Sequence, residues 1–130
     1  MKVLIVFFAA FVFGLSPAAN AVEFECKVAR KFDTERQYTS DQLSKGNFSA
    51  LIEERNSEAF VSRCSYSPSA GKVTCDRYRV DKIVFDEHIK SKKFYVFQSQ
   101  SDFQMFSDLS FVENNGRGGV SYGKCALTSP

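Results

Sequence analysis

The sequence predicts an all-β domain, an antiparallel meander of about seven or eight strands that forms a small barrel or sandwich with two disulfides. Three observations predict this fold. Apolar and polar residues alternate through most of the chain after residue 21, turn residues recur about every eight to twelve positions, and four cysteines lie in the same part. An even number of cysteines in an exported chain indicates disulfides.

The first 21 residues have the features of a secretory signal peptide. Lys2 precedes an apolar run over residues 3–15, Pro17 interrupts the run, and a small-residue cleavage sequence ends at Ala21. A retained membrane anchor is the alternative, but the run is shorter than the roughly 20 residues that span a bilayer. We therefore expect a single periplasmic or secreted domain of residues 22–130, with no membrane span after cleavage.

The alternation places the predicted strands along this domain. In chain order they are VEFECKVARKF, NFSALIEE, EAFVSRCSY, KVTCDRYRVDKIVFDE, KKFYVFQSQ, SDFQMFS, LSFVEN and GVSYGKC. The fourth segment changes phase near Val80, which predicts two strands or one bent strand. Before NFSALIEE, a short helical turn is predicted, capped by Thr39 or Ser40 and ended by Gly46. Short connections favour a closed or nearly closed sheet.

The spacing of the cysteines selects one pairing. A hairpin centred on the turn residues SPSAG places Cys64 directly opposite Cys75, at the separation of roughly 5 Å that a disulfide accepts. Cys26 and Cys125 then remain to join the first strand to the last. A zinc site is the alternative, but no two cysteines are two to four residues apart and the sequence has one histidine, His88.

The charge balance limits the classes of partner. Of the 17 basic residues only Lys2 is lost with the signal peptide, so the mature domain keeps 16 against 15 acidic residues. Nearly balanced charge argues against nucleic acid, whose binding domains carry a basic surface, and against polybasic attraction to a membrane. The sequence indicates no cofactor and no metal, and a protein is one candidate partner.

Residues suited to catalysis do not converge in the sequence. His88 lies beside acids in DEHIKSKK and could act as a base or a metal ligand. However, a polar segment between two apolar ones is typical of an exposed hairpin tip. Glu53 and Glu54 are adjacent, so on a strand they face opposite sides rather than flank one bond. We expect no enzyme activity.

Two segments are candidates for binding. The segment FVENNGRGGVSYGKC lacks a Gly-x-Gly-x-x-Gly pattern and a following amphipathic helix, so it predicts the last β-turn rather than a phosphate loop. Its candidate binding residues are Asn115, Arg117 and Tyr122. In DRYRVDK, Arg77 and Arg79 alternate with a tyrosine in a pattern that suits an anion or a sugar polymer, although a solvated face is the simpler interpretation.

The most aromatic stretch, KFYVFQSQSDFQMFSDLSF, has two interpretations. Its apolar residues fill both phases of FYVF, so this strand is either covered on both faces or exposes an apolar stripe. A filled core is favoured, because a small β-domain has little else to fill its interior. An exposed stripe would instead be a surface for a partner or a ligand.

The layout of the chain resembles a known family. A cleaved export signal, a cysteine in VEFEC, the segment FYVFQSQSDFQMF and a late cysteine in YGKCALTSP resemble the small periplasmic inhibitors of C-type lysozyme. Over most of the mature chain, this resemblance implies an eight-stranded barrel and inhibition through a loop bearing Ser-Gly-x-x-Tyr. The motif is absent, since the nearest residues read Gly-Val-Ser-Tyr at 119–122, so no functional residue is carried over. The segment FVENNGRGGVSYGKC also resembles uncharacterised small exported bacterial proteins.

Three functional hypotheses follow. The leading one is an exported non-enzymatic β-domain that binds a macromolecular partner, for example as an inhibitor of a host or envelope enzyme. The second is a β-barrel that carries a small ligand, which requires an open apolar cavity instead of a filled core. The third is a hydrolase of envelope polymers that uses His88, Glu53 and Glu54.

Overall fold

The chain folds as one curled, half-barrel sheet of nine antiparallel strands with one short helix. The structure is a computed structural model and describes residues 21–129, so the predicted signal peptide lies outside it except for Ala21. The elements are β1 (Val22–Phe32), α1 (Ser40–Gly46), β2 (Ser49–Arg55), β3 (Glu58–Ser67), β4 (Lys72–Arg79), β5 (Lys82–Asp86), β6 (Ser91–Val96), β7 (Ser101–Phe106), β8 (Ser110–Asn114) and β9 (Val120–Ser129). No helix within residues 21–129 is long and apolar enough to cross a membrane.

The sheet consists of two meanders joined at the ends of the chain. Its strand order is β4-β3-β2-β1-β9-β8-β7-β6-β5, so β1 pairs with β9 in the centre. Cys26 and Cys125 are direct partners in this register and form a disulfide. Cys64 and Cys75 are direct partners between β3 and β4 and form the second one. The predicted all-β fold and both predicted disulfides are confirmed.

The change of phase near Val80 divides the predicted fourth segment into β4 and β5, which raises the count to nine strands. The backbone N–H of Val80 donates to the carbonyl of Ala59 on β3 at 2.9 Å, and that of Asp81 donates to the carbonyl of Tyr95 on β6 at 2.8 Å. Two consecutive residues thus bond to the strands that lie next to the two edges of the sheet. The short connection from β4 to β5 therefore holds the two edge strands close together at this point.

The predicted helix is confirmed, with Thr39 as its cap. The N–H of Gln42 donates to the Thr39 hydroxyl at 3.1 Å, and the Thr39 N–H donates to Gln42 Oε1 at 2.9 Å. This reciprocal capping box satisfies two backbone donors at the start of the helix. The helix ends at Gly46, and the left-handed residue that follows is Asn47, with φ of 45°.

The aromatic stretch supplies the core on the inner face of the curled sheet. Phe94, Phe103 and Phe111 are buried, and the Phe103 and Phe111 rings stack with centroids 4.9 Å apart. The predicted filled core is confirmed for these residues. Phe97 differs, since β6 ends one residue before it and its side chain is 63% exposed.

Candidate functional site

A polar cavity of about 180 Å³ lies on the inner side of the sheet, next to the buried Phe111. Four of its lining residues, Lys31, Arg63, Glu113 and Ser121, come from β1, β3, β8 and β9 and are called here the interior polar cluster. The strand register explains part of this assembly, because Ser121 is the direct partner of both Glu113 and Lys31. Curvature of the sheet brings Arg63 to them from a strand that is not adjacent to β8.

Arg63 and Glu113 form an ion pair inside this cavity. Arg63 Nε donates to Glu113 Oε1 at 3.0 Å, and the two side chains are only 26% and 10% exposed. Burial raises the pKa of the Glu113 carboxyl above its usual range, while the positive charges of Arg63 and Lys31 oppose that rise. Glu113 is thus the buried carboxyl that the two basic side chains flank.

Lys31 turns into the cavity because β1 contains a bulge. The register shifts between Val28 and Arg30, so one extra residue reverses the alternation and Lys31 lies opposite the inward Ser121. Lys31 Nζ donates to Ser121 Oγ at 3.3 Å. Burial lowers the pKa of Lys31, and the nearby Glu113 carboxylate acts in the opposite direction.

The Lys31 ammonium also lies against two aromatic rings. Its Nζ is 5.0 Å from the centroid of the Phe48 ring and 5.6 Å from that of Tyr38, distances at which the ring faces attract a cation. Among residues 21–129 no carboxylate forms an ion pair with Lys31. Two cations in the cavity therefore share one buried carboxylate.

A second ion pair crosses the interior toward the other end of the strands. Lys92 Nζ on β6 donates to both carboxylate oxygens of Glu54 on β2 at 3.0 Å. Glu54 is paired with Val22 at the start of β1, whereas Lys31 lies near the end of that strand. The aromatic core therefore lies between two cross-sheet ion pairs.

The two edge strands differ in how they are protected. All five residues of β5 are exposed, and Ile83, Val84 and Phe85 are 41%, 39% and 55% exposed in an unbroken apolar run. On β4, four charged residues and a disulfide cysteine interrupt the exposed edge, namely Lys72, Cys75, Asp76, Arg77 and Arg79. Charges on an edge strand discourage pairing with another chain. The β5 edge carries charges only at its ends.

The predicted candidates Arg77 and Arg79 lie on the solvated outer side of β4. Arg77 pairs with Glu53 at 3.2 Å and stacks over the Phe60 ring at 3.8 Å. Arg79 pairs with the exposed Glu58 at 3.2 Å. Both guanidinium groups thus contact carboxylates of neighbouring strands.

The other predicted candidates lie at the turn between β8 and β9. Asn115 Oδ1 accepts the N–H groups of Arg117 and Gly119, each at 2.8 Å, which confirms the predicted last turn. Tyr122 is exposed on β9, and its ring meets that of Phe32 edge-on with centroids 6.0 Å apart. In the described part of the chain, no hydrogen bond or ion pair joins this group to the β4 arginines.

The residues considered for catalysis remain apart. His88 lies in the exposed turn after β5, where its N–H donates to Asp86 Oδ1 at 2.9 Å. Glu53 faces Arg77 on the outer side, and Glu54 faces Lys92 on the inner side. Within residues 21–129 no group of three His, Cys, Asp or Glu side chains is arranged to hold a metal ion.

The interior polar cluster was not predicted from the sequence. One signal was present, because Arg63 continues the inward phase of Ala59 and Val61, and Glu113 continues that of Phe111. A charged residue in an apolar phase indicates a buried partner of opposite charge. Lys31 carried no such signal, since the bulge reverses its direction.

No protein-family model, curated protein or solved structure matches the chain. The resemblance to lysozyme inhibitors therefore remains a prediction from the layout of the sequence. The interior polar cluster and the β5 edge are the two features of the described residues from which a function can be argued.

Proposed function

We propose that the chain is an exported, non-enzymatic domain that binds an extended segment of a partner protein along the free edge of β5. The observation that carries this proposal is the contrast between the two edges of the sheet. The β4 edge bears interspersed charges, whereas β5 presents three consecutive exposed apolar residues. An edge without protective charges is a template for a further strand.

Strand addition would use both the backbone and the side chains of β5. The outer edge of β5 has no strand partner among residues 21–129. Ile83 and Phe85 share the inner face with their neighbours Phe94 and Lys92 on β6, so Val84 lies on the opposite face. A partner segment would pair its backbone with β5 and place alternate apolar side chains beside these residues.

The contact surface extends beyond both ends of the strand. Ile89, in the turn after Asp86, is 55% exposed, and Phe97 is 63% exposed. Phe97 is linked to the start of β5, since its N–H donates to Asp81 Oδ2 at 2.7 Å. A segment longer than β5 itself is therefore favoured.

The charges at the ends of β5 specify the partner further. An antiparallel segment with a carboxylate opposite Lys82 and a cation opposite Asp86 would match them. A second copy of β5 also meets this description, but two five-residue strands span only about 17 Å. Such a pairing alone falls short of the roughly 1,200 Å² that stable complexes bury. We therefore assign the edge to a foreign segment that continues over Ile89 and Phe97.

The predicted signal peptide and the two disulfides are compatible with a partner in the periplasm or outside the cell. Inhibition of a host or envelope enzyme is one specific form of this function. It would require that the bound segment belong to the rim of the active site of that enzyme.

The test is selection of displayed peptides on the oxidised mature domain. Selected peptides should have an extended apolar centre and should bind at least about tenfold more weakly to Val84→Lys. Val73→Lys is the matched control, because Val73 is an exposed apolar residue on the β4 edge. Amide shifts on binding should be largest along β5. Equal loss in both variants, or shifts away from β5, would overturn the proposal.

Sedimentation of the domain without peptide tests the alternative that a second copy of the chain pairs with the β5 edge. The wild-type domain is expected to sediment as a monomer at the concentrations used for peptide binding. A wild-type dimer that becomes monomeric in Val84→Lys would assign the edge to a second copy, because two lysines would then face each other across the symmetry axis. That result would overturn the proposal that a foreign segment binds this edge.

A further inference from the structure

We infer that the cavity of the interior polar cluster binds a small monocarboxylate, held between Lys31 and Arg63. This site lies on the inner side of the sheet and is separate from the β5 edge, so the inference goes beyond the proposed function. It rests on unmet hydrogen-bond donors, on local charge and on the size of the cavity.

Lys31 and Arg63 both keep hydrogen-bond donors that contact no acceptor among the described residues. A guanidinium has five N–H donors, and Arg63 uses only its Nε, toward Glu113, among the described residues. Lys31 Nζ has three donors and contacts one acceptor, Ser121 Oγ. Within residues 21–129 no fully buried polar side-chain atom lacks a partner, so these free donors open onto the cavity rather than into the packed core.

The local charge favours a single negative charge on the ligand. Lys31 and Arg63 are two cations, and Glu113 is the buried anion between them. The remaining charged residue of the lining, Asp76 on β4, is the direct cross-strand partner of Arg63, but its side chain is exposed and, among the described residues, forms no ion pair with Arg63. A monoanion balances the buried charges, whereas a dianion would be repelled by Glu113.

The shape of the cavity defines the rest of the ligand. Its volume is about 180 Å³, which corresponds to roughly six water molecules at 30 Å³ each. Apolar side chains of Val28, Phe48, Ala50 and Phe111 form part of the wall. A carboxylate on a short aliphatic chain or a single ring fits this combination, with the carboxylate on Arg63 and Lys31 and the apolar body against the wall.

The test is an NMR titration of the oxidised mature domain with benzoate and with benzamide, which has nearly the same shape but no charge. Benzoate should shift the amides around the interior polar cluster and should bind at least about tenfold more tightly than benzamide. Equal affinity of the two compounds would overturn the inference.

Two variants locate the site. Lys31→Met keeps the length of the side chain and should weaken benzoate binding about tenfold. Lys27→Met is the matched control, because Lys27 lies on the same strand with an exposed side chain, and it should bind benzoate as the wild type does. The amide spectrum of each variant verifies that it is folded. Equal affinity in both variants would contradict the assigned site.

The result is independent of the proposed partner. Val84→Lys changes the β5 edge and leaves the cavity intact, so this variant should retain benzoate binding. Loss of peptide binding with retained benzoate binding would separate the two sites. Loss of benzoate binding in Val84→Lys would contradict a separate cavity site.

Discussion

Arg63 and Glu113 form an ion pair across the interior of the sheet, with Arg63 Nε 3.0 Å from Glu113 Oε1. They lie on β3 and β8, which are not neighbours in the strand order. The pair therefore connects the two meanders independently of the central β1–β9 pairing. Removing one partner of a largely buried ion pair leaves an uncompensated charge, so each side chain depends on the other.

Replacement of Arg63 should destabilise the fold more than replacement of both partners. Arg63→Met leaves the Glu113 carboxylate buried beside a methionine, which costs about 3 kcal/mol. The double variant Arg63→Met with Glu113→Gln removes the charge and should recover part of that loss. Urea unfolding with intact disulfides measures the free energy of unfolding of each protein.

Arg79→Met provides the control for this comparison. Arg79 pairs with Glu58 at 3.2 Å, but the side chains are 70% and 49% exposed. Exposed pairs contribute between about 0 and 1 kcal/mol, so this variant should unfold almost as the wild type does. If Arg63→Met lowers the free energy of unfolding no more than Arg79→Met does, burial does not determine the contribution of the Arg63–Glu113 ion pair to stability.

Titration of Glu113 should make stability fall as the pH rises. Burial raises the pKa of this carboxyl above 4.5 in the folded chain. Between 4.5 and the raised value, the folded state keeps a proton that the unfolded state has released, so the free energy of unfolding decreases with rising pH. The stability of the wild type relative to Glu113→Gln should decline above pH 4.5 and level off beyond the folded pKa.

The comparison with Glu113→Gln removes the contribution of other carboxyls. Hydrogen bonds lower the pKa of Asp33, chiefly from the Glu35 N–H, and that of Asp108, chiefly from the Ser110 hydroxyl. Their contribution is present above pH 3.8 and is lost as the pH falls, in both proteins alike. A stability difference that rises with pH would contradict the raised pKa of Glu113.

The sequence predicts those parts of the structure that depend on neighbouring residues. The Cys64–Cys75 pairing follows from the centre of one hairpin, and a helix cap at Thr39 or Ser40 follows from local hydrogen bonding, with Thr39 as the observed cap. The division near Val80 is visible as a change of phase. Each of these features is set within one short, continuous segment of the chain.

The interior polar cluster depends on features that alternation does not encode. Lys31 shares the phase of the outward Lys27, and only the bulge between Val28 and Arg30 turns it inward. Arg63 and Glu113 meet because the sheet curls, which requires the whole strand order. The unprotected β5 edge was not predicted for the same reason, since a single sequence does not show which strands stay unpaired.

The two disulfides should differ in their effect on stability. The Cys26–Cys125 bridge spans 99 residues and the Cys64–Cys75 bridge spans 11. In the chain-entropy model, closing the longer loop contributes about 4 to 5 kcal/mol and closing the shorter one about 3 kcal/mol. Paired replacement by alanine should therefore lower the free energy of unfolding more for Cys26–Cys125, measured in urea under non-reducing conditions.

A local probe adds a second readout for the disulfide variants. Without the Cys26–Cys125 bridge, amide hydrogen exchange should accelerate along β1 and β9, where the two meanders meet. Without Cys64–Cys75, faster exchange should be confined to β4. A larger loss of unfolding free energy without Cys64–Cys75 than without Cys26–Cys125 would show that loop length does not determine how much each disulfide stabilises the fold.

Gly123→Ala should destabilise the central pairing of β1 with β9. Gly123 is the partner of Val28 at the edge of the bulge, and a Cβ there would collide with the backbone carbonyl of Lys27 and the ring of Phe111. Overpacking of this kind costs about 1 to 3 kcal/mol. Gly71→Ala is the control, because Gly71 has φ of +66° but no atom within 4 Å of an added Cβ. Its cost is limited to backbone strain, about 1 kcal/mol.

Gly123→Ala should also weaken benzoate binding. Lys27 and Val28 lie just before the bulge that turns Lys31 into the cavity, so a displacement of the backbone at Gly123 should move Lys31. Gly71→Ala should leave benzoate binding unchanged. Equal stability and equal benzoate affinity in the two variants would contradict the close approach of the strands at Gly123.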